Sequence, residues 1–585
     1  MLGFVTTAEV TPLEGTVGQD RGVDALALGL ALDTSGFHVY VAGQSGSGRA
    51  TTVRTLVSRQ AAGNPPAPDW CYLYNFSQPA QPIAVDLPPG QGPRLARDLD
   101  DLVADARREI PRAFEGEQYQ QRRADITREL AQQRESLFEQ VRSLAEQLGF
   151  AVEFTPTGIV TVPLLEPGKP LTEDAFKLLP DNKQAEIRAN GQELSQRTDE
   201  VLLAMRRAQR ASHERLHALD REVVGFAVGH LLDALRASYT SVPAVIHHLD
   251  ALQADLVAHV DDFRTSEAER EDGQMPALMP ERAYDRYGAN VIVSNDPADG
   301  APVVFEPNPT YYNLLGRVDY RASIGAMVTD FHFIRAGALH RANGGYLILQ
   351  ARDVLLSPYA WDALKRALRD GELRIENLGE QFSVFPTATL KPAPVPLHVK
   401  VVLIGDLQTY TLLHQLDPDF PRLFKIKAQF GPDMPRSPDT MHAYAAFVSG
   451  QARARGLLAF GADAVARIIE QGARLAEHQE RLATHFEAIG DLLVESELRA
   501  RQSGATQVQA VHVEQTLAAQ EHRLNLMEEQ LHREIVEGTI GIDTHSQVVG
   551  QVNGLSVFQL EDYAFARPAR ITARVGLGEE GVVDI

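Results

Sequence analysis

Gly43-Gln44-Ser45-Gly46-Ser47-Gly48-Arg49-Ala50 follows the apolar run Phe37 to Ala42 and precedes a helix opening at Thr51. Strand, glycine-rich turn and helix in this order cradle phosphate, because glycines let backbone N–H groups curl around an anion at a helix N-terminus. Against the pattern G-x-x-x-x-G-K-[ST] the turn departs at both chemical positions. Arg49 stands where an ammonium would meet phosphate, and Ala50 where a hydroxyl would hold Mg²⁺. Gly43, Gly46, Gly48, Arg49, Ala50 and Thr51 are the candidate nucleotide contacts. Hydrolysis would also need a second strand ending in an acidic pair, one carboxylate supporting Mg²⁺ and one activating water. The strand Tyr346 to Leu349 runs instead into Gln350 and Ala351. A neutral amide and a methyl group neither balance a divalent cation nor take a proton. Asp353 falls past the strand end and is not taken as a replacement. The four departures lead to one expectation: ATP or ADP can bind, Arg49 being a good phosphate partner, but without hydrolysis and without magnesium.

The elements that position these residues read as an α/β nucleotide-binding fold interrupted by a long helical insertion. Residues 1–95 give the first part of the α/β unit, with strands at Phe37 to Ala42 and Trp70 to Tyr74, and strands alternating with helices imply a parallel sheet. From 96 to 284 the chain turns charged and helical. Ile126, Leu130, Leu137, Val141, Leu144 and Leu148 form a coiled-coil seam, answered by Ile187, Leu194, Val201, Ala208 and Ser212 on a helix running to about Arg236. A β-hairpin near 150–165 makes the tip of this antiparallel arm, where Phe154, Ile159 and Val160 are placed for contact. Residues 285–436 return to the α/β pattern, with strands at Asn290 to Ser294, Pro302 to Glu306, Tyr346 to Leu349 and Val399 to Ile404. Residues 437–535 read as a helical lid and 536–585 as a short β-rich segment.

The bulk numbers exclude several classes. At 585 residues more than one core is required. A formal charge of −22 argues against a nucleic-acid partner. One cysteine, Cys71, allows no intramolecular disulfide and no cysteine-rich metal cluster. No apolar run reaches bilayer length, so no membrane contact is expected and the location is read as cytoplasmic. The histidines, His247-His248 and His512 among them, are read as lacking metal-ligand spacing with acidic partners.

With both motifs placed, the chain resembles the Lon-family AAA+ proteins, and within them the Lon-related ATP-dependent proteases that carry a coiled-coil insertion between the two nucleotide motifs. The likeness is carried by Gly18-Gln19-Asp20-Arg21, Asp69-Trp70-Cys71-Tyr72, Ile110-Pro111-Arg112-Ala113-Phe114, Thr155-Pro156-Thr157-Gly158, Asn308-Pro309-Thr310-Tyr311, Gly337 to Tyr346 and Gly550-Gln551-Val552-Asn553-Gly554-Leu555. It implies an AAA+ P-loop sheet, a ring that is usually a hexamer, and unfolded polypeptide threaded through a pore toward a Ser–Lys peptidase. By the same resemblance Asp406 matches the sensor-1 position, Arg422 an arginine finger reaching a neighbour's nucleotide, and His485 the place of a sensor-2 arginine. The loop Ser323 to Phe331 lies where a pore loop belongs, with Met327 and Phe331 as polypeptide contacts. The last fifty residues resemble an incomplete start of the proteolytic domain, with no Ser–Lys dyad. Three readings stay open: a non-hydrolysing substrate-recognition module, an active ATP-dependent unfoldase and protease whose peptidase lies outside this chain, and a chaperone-like scaffold ring.

Overall fold

The structure is a computed structural model describing residues 2–13, 15–155, 158–166, 169–264, 282–323, 326–378, 390–560 and 563–576. In chain order, α1 (Asp20–Ala31) leads to β1 (Val39–Ala42), the glycine turn and α2 (Arg49–Ala62). Then come β2 (Asp69–Leu73), β3 (Ile83–Leu87), α3 (Gly92–Glu115), α4 (Glu117–Leu148), β4 (Phe150–Thr155), β5 (Gly158–Glu166), α5 (Asp181–Ser238) and α6 (Pro243–Ala258). β6 (Ala289–Val293), β7 (Val303–Glu306), β8 (Tyr346–Gln350), α7 (Ala360–Asp370), β9 (Lys400–Gly405), α8 (Leu407–Leu416) and β10 (Ile426–Gln429) follow. The chain continues through α9 (Pro438–Arg455), α10 (Ala462–Leu475), α11 (Phe486–Gln502) and α12 (Ala510–Leu524) to a hairpin of β11 (Gln551–Leu560) and β12 (Tyr563–Thr572).

Five strands pair in parallel in the order β10-β1-β9-β8-β7. The inner strands β1, β9 and β8 are mostly apolar because both their faces are covered, while β10 at one edge carries Lys427 and Gln429. Alternate side chains serve opposite cores: Tyr40, Ala42, Leu347, Leu349, Val401 and Leu403 pack with α7, while Val39, Val41, Ile348, Val402 and Ile404 pack with α1 and α2. This is the AAA+ α/β fold, with the glycine turn leaving the C-terminal end of a central strand.

Two strands expected in that sheet lie elsewhere. β2 and β6 join β3 in a separate antiparallel sheet of order β3-β2-β6. Trp70, Tyr72 and Val293 enter the α7-side core. Cys71, Leu73, Val85 and Leu87 enter a second core with α3, α6 and the base of α5. A strand buried on both faces by two different cores has the same apolar run as one in a covered parallel sheet, so composition did not separate them. Asp69, fully buried, fixes the junction by accepting from Gly92 N–H at 2.7 Å and Asn295 N–H at 2.7 Å.

The insertion is an antiparallel helix pair. Asn190 donates to the Leu148 carbonyl at 3.2 Å, Arg215 meets Glu129 at 2.7 Å and Arg122 meets Glu222 at 2.8 Å, a pairing that runs in opposite directions along α4 and α5. Leu137, Val141, Leu144 and Leu148 interlock with Ile187, Leu194 and Val201 at the tip end. Gly149, with φ 80°, takes the left-handed conformation that ends α4 and turns the chain into the hairpin. Phe154 and Ile159 pair across β4 and β5, but their side chains, like Pro156, Thr157, Ile324 and Gly325, lie outside the described residues.

Helices α9 to α12 share a core into which the N-terminal segment also packs, through Leu2, Phe4, Leu13 and Val17. Ser449 of α9 reaches the carbonyls of Thr7 and Val10 at 2.8 and 2.7 Å, belting that segment to the helices. Gln19 explains the Gly-Gln-Asp motif: its amide donates to the Gly431 carbonyl at 2.9 Å and accepts from Gly431 N–H at 2.8 Å. The β11–β12 hairpin leaves Val552, Leu555 and Val557 exposed, with Ser556 opposite Arg567.

Candidate nucleotide site

A cavity of about 720 Å³ opens above the glycine turn. Its floor is Ser45, Gly46, Gly48 and Arg49 to Thr52, with Gln350 and Ile404 from the neighbouring strands. The turn is held in shape from within. Gly46 and Gly48 take φ of 75° and 78°, open to glycine. Ser47 is buried and donates to the Gln44 carbonyl at 2.8 Å. A Cβ at Gly46 would sit 2.6 Å from His485 Nε2, so the lid closes directly on the turn. Glu487 N–H, in the first turn of α11, donates to the Gly46 carbonyl at 3.2 Å.

Arg49 lies on the cavity floor, with its guanidinium tied to the strand ends. Its Nη1 donates to the carbonyls of Gly43 and Gly405, at the exits of β1 and β9. Burial lowers its pKa, while the neighbouring Tyr40 and Asp406 oppose that shift. Ala50 and Thr51 face the cavity. Gln350 precedes the short helix that follows β8, and Ala351 is 1% exposed, its methyl against Gly405. No carboxylate stands at the end of β8, and Asp353 is not among the lining residues. Glu487, from the lid, is the one acidic side chain among the described residues that line the cavity. Among the described residues no group of three or more His, Cys, Asp or Glu is placed to hold a metal ion.

Three comparisons place this geometry. A family model described as the LonB-like AAA domain matches residues 299–431. The archaeal LonB AAA+ ATPase lid domain matches 459–523. The Lon-like LonC helical domain matches 69–102. The chain is a Lon-related AAA+ protein. A curated Lon protease homolog of Escherichia coli K12 is 28% identical over 260 residues, 43% of this chain and 42% of that protein. One from Haemophilus influenzae is 24% identical over 258 residues, 43% of this chain and 40% of that protein. The matched stretch thus spans less than half the length of either relative. Among solved structures, NtrX from Brucella abortus in complex with ATP aligns at TM-score 0.24 and 16% identity, covering 36% of this chain and 42% of that one. The BchI–BchD complex of magnesium chelatase aligns at 0.16 and 19%, covering 38% and 70%.

Within this Lon-related chain, the remaining predicted site residues disperse. Asp406 caps α8: its carboxylate accepts from Thr409 N–H at 2.6 Å and from the Thr409 hydroxyl at 2.9 Å. Burial would raise its pKa, but the Thr409 hydrogen bonds and the charge of Arg49 outweigh burial and hold it below the ordinary value. Asp406→Ala is expected to cost about 1 kcal/mol in thermal unfolding, with Asp406→Asn recovering most of it. An unchanged melting temperature for the alanine variant would remove the capping role. Arg422 is exposed beside Gly36, at the entry of β1, and is not among the described residues that line the cavity. Met327 is 52% exposed on a short hairpin of Arg321–Ser323 with Ala326–Val328. Phe331 corrects the sequence reading: it is 3% exposed, packed on Tyr74 and His332, and its carbonyl accepts from Asn290. It is a core residue at the hairpin's root, unavailable to polypeptide.

The walls of the cavity were missed. Pro12, Leu13 and Val17 come from the N-terminal segment, and Phe447, Arg455 and Phe486 from the lid. Only the Gly-Gln-Asp motif pointed toward the first group, and nothing local marks the second.

Proposed function

We propose that this chain is a nucleotide-binding, non-hydrolysing AAA+ module of Lon type that captures unfolded polypeptide and assembles as a ring, with six subunits as in the family it resembles. The observation carrying this reading is the engagement of Arg49. The one cation of the glycine turn is spent on the carbonyls of Gly43 and Gly405, and β8 ends in an amide and a buried methyl group. The turn's shape therefore depends neither on a metal ion nor on a γ-phosphate, while the cavity and the backbone N–H groups of the turn remain for ADP or ATP. Polypeptide capture is supported by Met327 and by Val160, Leu165 and Leu178 at the arm's tip, all exposed. The domain limits inferred from sequence belong to this proposal. So does the peptidase link, since the matched stretch covers under half of each relative.

Calorimetric titration with ADP and ATP, with and without Mg²⁺, tests the proposal alongside phosphate release. Binding indifferent to Mg²⁺ with no release is expected; Mg²⁺-dependent release would refute it. Glu487 favours a second reading, an ATP-driven unfoldase with its acid supplied by the lid, in which release occurs and Glu487→Gln abolishes it.

A further inference from the structure

His213 and His217 lie one turn apart on α5, both exposed, near the middle of the arm. Their Nε2 atoms approach to 3.0 Å, with ring planes at 82° and centroids 4.2 Å apart. Imidazole binds late first-row divalent cations through bonds of about 2.0–2.1 Å, and two such bonds at a right angle span about 2.8–3.0 Å. A tetrahedral angle would open the span to about 3.4 Å. A separation of 3.0 Å is that of an N–H···N hydrogen bond between the two rings; it also lies close to the span of two adjacent positions of a tetragonal site, the preference of Cu²⁺ and Ni²⁺, which an ion displacing the shared proton would occupy. Arg221, the next cation along the helix, donates its Nε to the His217 carbonyl at 3.3 Å.

The position on the arm gives the pair a second significance. The tip-end cluster of α4 and α5 runs from Leu137 and Met205 outward. The root core reaches as far as Ile126 and Leu219. Between them the seam of α5 is occupied by Ala208 and Ser212, and neither apolar cluster extends into this stretch. Helical stability in an arm comes from packing of its apolar face, so this is where the pair of helices is held least.

We infer that His213 and His217 bind one divalent late-transition-metal ion, Cu²⁺ most tightly by the general order of affinities, and that the ion staples one turn of α5 where the arm lacks an apolar core. Water completes the coordination on the exposed side. Binding to the folded helix alone stabilises it by mass action.

The test is titration of the full chain with CuCl₂ in a non-coordinating buffer. Electron paramagnetic resonance of the bound ion and hydrogen exchange of amides 206–218 are the readouts. One equivalent with two imidazole nitrogens is expected. His213→Ala or His217→Ala each lowers affinity about tenfold or more and leaves one nitrogen at the site. The bound ion slows exchange across 206–218 in the unaltered chain and not in either variant. Both positions are exposed, so the variants fold. The chain has 18 histidines, and an unchanged affinity and spectrum in the double alanine variant would assign the ion elsewhere and overturn the inference. Exchange in 206–218 that ignores bound Cu²⁺ would overturn the staple.

Discussion

Between about pH 6.5 and pH 4, stability is expected to fall by about 4 kcal/mol for each pH unit of acidification, counted over three histidines at about 1.4 kcal/mol each. His38, His248 and His340 are buried. Burial, reinforced by Lys400, lowers the pKa of His38 to about 3. Burial, with His247 and Arg341 adding repulsion, lowers His248 and His340 to about 4 each. The folded state therefore holds all three neutral while the unfolded chain protonates below about 6.5, so the unfolded state gains protons the folded state refuses. Above 6.5 the three contribute no pH dependence. His38 at least accepts a hydrogen bond from Val401 N–H at 3.2 Å. Among the described residues neither ring nitrogen of His248 has a hydrogen-bond partner, and the ring packs on Phe76. His248→Phe removes those two unmet polar atoms and should raise stability at neutral pH by about 1–3 kcal/mol. It should also reduce the acid slope by roughly a third. Urea midpoints measured across this pH range decide the matter, and a variant with the parent's slope would mean His248 titrates freely.

Arg49→Ala is expected to lose about 3 kcal/mol, far more than removal of an ordinary surface arginine. The guanidinium makes charge-assisted hydrogen bonds to two strand-end carbonyls, and the Gly405 carbonyl also accepts from Gly43 N–H at 3.2 Å. Removing it unties β1 from β9 where the glycine turn begins. Arg49→Lys, a point charge in place of a fork, should recover only part of the loss. Thermal unfolding with and without ADP separates this role from phosphate contact. In a strapped turn the alanine variant melts lower in both conditions while the ADP-induced shift persists. Were Arg49 the phosphate partner, the variant would keep its melting temperature and lose the shift.

What the sequence disclosed follows from how locally each feature is encoded. Arg49 and Ala50 sit within the glycine turn, and Gln350 and Ala351 at the end of one apolar strand, so each pair could be read from its immediate neighbours. The arm was legible because its seam repeats. β10 was missed because Ile426-Lys427-Ala428-Gln429 is a polar edge strand with no apolar run. β2 and β6 were assigned to the wrong sheet because apolar runs record burial and not the partner that buries them. Phe331 reads as a surface contact in the sequence because its hairpin position does not reveal that Tyr74 and Asn290 close over it. The cavity walls from Leu13, Phe447 and Arg455 arise from packing between segments more than four hundred residues apart in number. His213-x-x-x-His217 falls on a stretch the sequence already reads as helical, but the spacing alone does not show the two Nε2 atoms meeting.

The unbroken α5 also makes this molecule a lever. Its 58 residues span about 87 Å. Roughly the last 20 are gripped by the root core, from Leu219 onward, and about 57 Å projects beyond that fulcrum. The load reaches the fulcrum through β2, whose Cys71 and Leu73 press on the root while Trp70 and Tyr72, one residue out of phase, press on the core of the nucleotide fold. As a rigid rod pivoting at Leu219, α5 has a free arm about twice as long as its gripped end, so a tilt at the root is enlarged about twofold at the hairpin end.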